Sequence, residues 1–184
     1  LLVIGSNINP SFKFIDRTFN LKVTTSIAIL EFFLQRMSND LYLHFEVVPD
    51  NLPDKLKTVL QRFPPNSLQF EIGIQTFDSD IQQRISRKQN NDKSKDNIRW
   101  LREHSGAHLH TDLIFGLPGD TLENFADSFD QLIALNPHEI QVGILKRLRG
   151  APLNRHNIPS ELRFNPLPPY NLLSSREIDF VTMQ

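Results

Sequence analysis

Three short segments carry polar side chains at alternate positions: His44 and Glu46 in LHFEV, Glu71 and Gln75 in FEIGIQ, and His108, His110 and Asp112 in HLHTDLIF. Alternation at period two places each set on one face of a strand, with Leu43, Phe45, Phe70, Ile72, Leu109 and Leu113 on the other. Burying such rows makes sense mainly around a ligand, because a buried polar group is costly without a partner. The same carboxylates could instead close structural ion pairs with buried partners. His108 and His110 share a face, but a lone His-x-His is weak evidence for a metal and two hydrogen-bonded histidines are the preferred reading. No metal ligand and no catalytic residue is assigned.

The elements that must position these groups follow from pattern. Residues 1 to 10 read as the tail of a helix broken by Gly5 and Pro10. A strand over Phe12–Arg17 precedes a helix whose apolar face is Val23, Ile27, Leu30, Phe33, Leu34 and Met37. Strands are expected at Leu41–Val48, Leu68–Gln75, His108–Phe115 and Glu139–Leu145, separated by helices. Those helices are read at Leu52–Phe63, Ile81–Ile85, around Ile98 and Leu101, and over Leu122–Ile133 until Asn136-Pro137. The polar run around Asn90–Lys95 reads as a solvated loop. Gly116-Leu117-Pro118-Gly119 reads as a turn, with Asp120 and Glu123 as a capping-box variant for the helix that follows.

Five βα-type units in series predict a parallel sheet with helices outside. Parallel strands covered on both faces usually read as continuous apolar runs, so alternation here implies a wet, occupied inner face. A full eight-unit barrel takes about 250 residues. A chain of 184 residues supplies only part of one. Residues 1–153 are expected to form the partial-barrel core. Residues 154–184, with Pro159, Pro166, Pro168 and Pro169, should form a Pro-rich wrap with a short helix after Ser175.

At 39% hydrophobic content the chain can bury a core. Twenty basic against 21 acidic residues, net charge −1, give no nucleic-acid signal, and the cluster Lys146, Arg147 and Arg149 is too small to change that. No apolar run approaches the roughly 18 residues of a membrane span. A soluble, cytoplasmic protein is expected. Zero cysteine excludes disulfides, thiolate nucleophiles and Cys-ligated zinc or iron–sulfur sites within this chain. The opening Leu-Leu-Val-Ile, without Met, reads as an internal segment of something longer.

The combination of FKFIDRTFN, LHFEVVPDN, FEIGIQTFDSDIQQRISRKQN, HTDLIFGLPGDTLENF, LRGAPL and the tail FNPLPPYNLL resembles the radical SAM superfamily over nearly the whole chain. It is most similar to the cobalamin-binding-domain-associated branch. The third segment also resembles its counterpart in oxygen-independent coproporphyrinogen oxidases. The resemblance implies a partial (βα)6 TIM-like barrel, strands two to six with outer helices. It also implies a [4Fe–4S] cluster held by a C-x3-C-x2-C loop after the first strand, S-adenosylmethionine (SAM) bound to the cluster's open iron, and cleavage to a 5′-deoxyadenosyl radical. Cobalamin would be carried by a separate domain. The cysteine loop and first strand would lie before Leu1, leaving the strand at Phe12–Asp16 as an exposed edge through which the fragment self-associates.

By the same resemblance Glu46 matches the third-strand acid that helps hold SAM. Gln75 and Arg87, twelve residues on, match the pair that contacts the ribose and carboxylate, and Asp112 matches a ribose-binding carboxylate. A guanidinium suits a carboxylate and acid oxygens suit hydroxyls, although spacing alone would make Arg87 a surface arginine. Asp16-Arg17-Thr18 stands where many relatives have a Gly-rich segment for the SAM amino group.

Three functions compete. The first is a fragment of a radical SAM enzyme, inactive alone, acting on an unknown small-molecule or macromolecular substrate. The second is a cysteine-free barrel module that binds a nucleotide-like ligand or a protein partner. The third, an ordinary barrel enzyme using Glu46 and Asp112 as acid and base, lacks the eight strands it needs.

Overall fold

The computed structural model describes residues 2–6, 9–15, 18–38, 40–148 and 162–183. Asp16 and Arg17, the Gly150–Pro152 turn and Pro159 lie outside the described residues. Eight strands and five α-helices are assigned among those described: β1 Leu2–Ser6, β2 Asn9–Lys13, α1 Val23–Leu34, β3 Tyr42–Val47, α2 Asp54–Leu60, β4 Leu68–Gln75, α3 Ser79–Arg84, α4 Asn91–His104, β5 His108–Phe115, α5 Leu122–Ala134, β6 Glu139–Ile144, β7 Arg163–Phe164 and β8 Leu172–Ser174. The main sheet runs β1-β2-β3-β4-β5-β6, and β2 to β6 are its five parallel strands. This is an α/β fold of the partial TIM-like barrel type. No helix among the described residues is long and apolar enough to cross a membrane.

Four expectations are corrected. Residues 2–6 form a strand, not a helix tail, and pair antiparallel with β2 from Leu2↔Lys13 to Ser6↔Asn9. The run Leu-Val-Ile is too short for a helix and rich in β-branched residues, which suit a pleated surface. β1 therefore covers the edge of β2 that was expected to lie open. The polar run at Asn90–Lys95 is the first turn of α4: Asn90 accepts from Lys93 N at 2.9 Å, and Ser94 and Asn97 join Ile98 and Leu101 on the buried face. Small polar residues carry that face, so an apolar count misses it. Residues 176–183 form bends and turns rather than a helix, and the tail contributes the β7–β8 pair.

The chain divides into two compact units. The first comprises 1–74, 90–111 and 135–140; the second comprises 75–89, 112–134 and 141–184. In the first, Phe45 at the centre of β3 stacks on Phe14 at 4.5 Å and meets Phe19 in a tilted pair at 4.0 Å, with Leu30, Leu56, Leu60, Phe70 and Leu101 buried alongside. In the second, Ile81, Leu117, Leu145, Leu172, Ile178 and Met183 form the core. Backbone bonds from Leu145 N to Phe115 O and from Leu172 N to Leu145 O carry the tail onto it.

Candidate functional site

Strand alternation delivers the polar rows as expected. On β3 the burial alternates so that Leu43 and Phe45 are fully buried while His44 and Glu46 are half-buried. β4 shows Leu68, Phe70, Ile72 and Ile74 buried against half-buried Gln69, Glu71, Gly73 and Gln75. β5 repeats the pattern with His108, His110 and Asp112 half-buried. In the first unit the parallel register sets Glu46 beside Glu71 and His44 beside Gln69. Glu46 belongs to the first unit, whereas Gln75, Arg87 and Asp112 belong to the second.

Within the first unit Glu71 stands between two histidines. His44 Nε2 lies 2.9 Å from Glu71 Oε1, and His110 Nδ1 lies 3.6 Å from the same oxygen. Burial holds the His44 imidazole below its ordinary pKa, helped by the Lys13 ammonium and opposed by Glu71. Further along the row His108 Nε2 is 3.7 Å from Glu139 Oε2 and stacks on His138. His138 accepts from Leu109 N through Nδ1 at 3.0 Å, and its Nε2 meets Arg102 Nη1 at 3.0 Å. Burial and the adjacent Arg102 guanidinium push its pKa down.

The second unit builds its own polar frame around Gln75 and Arg87. Gln75 ends β4 with φ of 66°, in the left-handed region that a residue with a side chain adopts only when its surroundings impose it. The next residues impose it: Thr76 Oγ1 and Phe77 N both bond the buried Ser128 hydroxyl of α5. Asp78 then caps α3 by accepting from Asp80 N and Ile81 N. Gln82, also buried, donates to Thr76 O at 2.8 Å. At the other end of α3, Ser86 N bonds Gln83 O and Arg87 N bonds Gln82 O, a Schellman ending with Ser86 at φ of 56° where glycine is usual. That ending places half-buried Arg87, whose Nε donates to Gln89 Oε1 at 3.0 Å. Thr76, Gln82 and Ser128 were not singled out in the sequence; a Thr and a Ser 52 positions apart carry no periodic signal.

The Gly116–Asp120 turn is confirmed in part. Asp120 N donates to Leu117 O at 2.9 Å, and Gly116 and Gly119 have φ of 85° and 77°. A Cβ at Gly116 would stand 2.6 Å from Leu172 Cδ2, and one at Gly119 would meet the Arg84 guanidinium. The helix cap is Thr121, not Asp120: Thr121 Oγ1 accepts from Asn124 N at 3.1 Å, and Thr121 O accepts the first helical bond from Phe125 N. Asp120 is instead buried, 1% exposed, with Oδ1 lacking a hydrogen-bond partner. Burial raises its pKa to about 6, with Asp78 and Glu177 adding repulsion and the Thr121 N–H opposing the rise.

A family model described as Radical SAM superfamily matches residues 16–132, more than half of the chain. Among curated relatives, the oxygen-independent coproporphyrinogen III oxidase of Paracoccus denitrificans is 30% identical over 95 residues, 52% of this chain and 21% of that protein. The heme chaperone HemW of Bacillus subtilis is 30% identical over 97 residues, 53% of this chain and 25% of its own length. The chain thus spans about a fifth to a quarter of these relatives. Of solved structures, the radical SAM methyltransferase TsrM of Kitasatospora setae superposes with TM-score 0.69 at 16% identity over 89% of this chain and 34% of that one. The coproporphyrinogen III oxidase HemN of Escherichia coli gives 0.55 at 24% identity, over 65% and 28%. Both structural likenesses speak for the fold alone. With the five parallel strands in place and the family model covering β3 to α5, the chain belongs to the Radical SAM superfamily.

Proposed function

We propose that this chain supplies strands two to six of the core of a radical SAM enzyme and holds the adenosyl and methionyl parts of SAM through Glu46, Gln75, Arg87 and Asp112. The observation that carries this reading is the family match over residues 16–132, which contains all four positions. The left-handed backbone at Gln75 and the Schellman ending before Arg87 support it, because strained, locally locked residues are common where a ligand is gripped. The residues present do not fit a [4Fe–4S] cluster, since none of the 184 is cysteine. The reading therefore has thiolates supplied from outside this chain, and the chain alone inactive. Cobalamin on a separate domain is part of the same proposal; TsrM has been solved with cobalamin bound. So is a cytoplasmic location.

Calorimetric titration of SAM into the chain tests the reading. Weak, saturable binding is expected, from hydrogen bonds worth about 0.5–1.5 kcal/mol each. Heats no larger than those of adenine alone would remove the proposed roles. Anaerobic reconstitution with iron and sulfide should leave no cluster absorption band. The absence of thiolates also favours a second reading, a barrel module that binds a nucleotide-like ligand or a protein partner without radical chemistry. SAM cleavage on addition of the cysteine-bearing region selects the first.

A further inference from the structure

His44 on β3 has no role in the SAM reading, and both it and its partner Glu71 on β4 lie in the first unit. His44 Nε2 is buried and donates to Glu71 Oε1 at 2.9 Å. A neutral imidazole carries one N–H, so this bond fixes the tautomer and leaves Nδ1 as the lone pair. With Nε2 buried, the 13% of the side chain that is exposed belongs to the rest of the ring. His110 Nδ1 approaches the same Glu71 oxygen only to 3.6 Å, beyond hydrogen-bond length, so the carboxylate is bonded to His44. A carboxylate bonded to one imidazole nitrogen orients the ring and stabilises the charge that appears when the other nitrogen takes a proton.

Charged and titratable groups face this pair from the neighbouring strands. Lys13 on β2 is registered with His44, and Glu46 follows on the same face of β3. His110 and then Asp112 occupy that face of β5, and Glu139 Oε2 on β6 stands 4.0 Å from His110 Nδ1. Burial, Lys13 and His110 together outweigh Glu71 and hold the His44 pKa below its ordinary value. The ring is therefore neutral near pH 7, with its lone pair available. Glu46, Glu71 and Glu139 leave this face negative, which disfavours an anionic ligand.

We propose that His44 is a base that accepts a proton from a neutral N–H or O–H group of a ligand on the inner face, with Glu71 as its positioning residue. The proton passes from the ligand nitrogen or oxygen to Nδ1, the ligand keeps the bonding pair, and the imidazolium formed is held against the Glu71 carboxylate. At about 3.3 Å per residue His44 stands about 7 Å along β3 from Glu46. That the ligand is the enzyme's own substrate rests on the SAM reading. The base itself needs no SAM, so the two readings fail separately.

The test uses the full chain labelled with 15N. Long-range 1H–15N correlation of the imidazoles across pH should show His44 as the Nε2–H tautomer, titrating below its ordinary value of 6.5. Glu71→Gln should lower that midpoint further, by about 1 pH unit or more, because an opposite charge within about 4–6 Å shifts a pKa by about 1–3. Diethyl pyrocarbonate, which acylates a neutral imidazole lone pair, should label the tryptic peptide of residues 37–55, whose single histidine is His44, with the same pH midpoint. Labelling of His104, exposed on α4, should be the same in wild type and Glu71→Gln. Millimolar phenol, a neutral O–H donor, should move the His44 Nδ1 resonance, and benzoate, an anion of similar size, should not. If circular dichroism shows Glu71→Gln unfolded, the tautomer, the labelling and the phenol response of the wild type carry the test. An Nδ1–H tautomer, a midpoint unmoved in folded Glu71→Gln, no labelling of His44 above its midpoint, or a response to phenol no larger than that to benzoate would each overturn the proposal.

Discussion

The carboxamide of Asn20 and the backbone of Val48 exchange two hydrogen bonds: Asn20 Nδ2 donates to Val48 O at 2.7 Å, and Val48 N donates to Asn20 Oδ1 at 2.9 Å. Asn20 Nδ2 also reaches Asn51 O, and Asn51 Nδ2 returns a bond to Asn20 O. The fully buried Asn20 thus ties the turn before α1 to the loop that leaves β3 just after Glu46. Asn20→Ala strands backbone groups of Val48 and Asn51, each costing about 1–3 kcal/mol when buried without a partner. A loss of about 2–4 kcal/mol in denaturant unfolding is expected. A loss below about 0.5 kcal/mol would mean that water replaces the carboxamide.

Thr121 as the cap of α5 makes a separate prediction. Thr121→Ala should cost about 1 kcal/mol, the usual value of a helix N-cap. Glu123→Gln should stay within about 0.5 kcal/mol, as for surface changes away from such features. Thermal melts of both variants decide between this cap and the Asp120–Glu123 box expected from sequence.

Asp120 sets a pH dependence. Its folded pKa, about 6, is above the ordinary carboxyl value of 3.8, so the folded chain binds more protons than the unfolded one between those values. Stability therefore falls as pH rises from about 4 to about 6, then levels off once both states are ionised. The shift corresponds to a few kcal/mol at most, at about 1.36 kcal/mol per pKa unit. Asp120→Asn should raise the melting temperature at pH 8 relative to wild type by more than it does at pH 4. An equal offset at both pH values would show that Asp120 titrates normally.

Arg87 and Asp112 should separate two ligands. Arg87→Ala is expected to weaken SAM more than 5′-deoxyadenosine, because only SAM carries the carboxylate that a guanidinium pairs with. Asp112→Asn should weaken both through the shared ribose. Equal effects of the two substitutions on the two ligands would mean that the roles are misassigned even though the fold stands.

Sequence pattern alone carried much of the architecture. β4 and β5 fall at Leu68–Gln75 and His108–Phe115, as read from alternation, because a strand half-covered by core announces its period. The polar faces with Glu46, Gln75 and Asp112 were legible for the same reason, and the absence of cysteine needed no structure. What tertiary structure decided lies where local pattern is mute. The antiparallel pairing of β1 with β2 depends on contact between strands, and α4 begins in a polar run because Asn90 caps it and Ser94 and Asn97 find buried places. The cap moved from Asp120 to Thr121 because the turn through Leu117 draws Asp120 inward, where burial raises its pKa. The two histidines meeting one oxygen of Glu71 come from β3 and β5, with dozens of residues between them. Alternation assigns each of these residues to a face, but only the lateral register of neighbouring strands sets the distance between them.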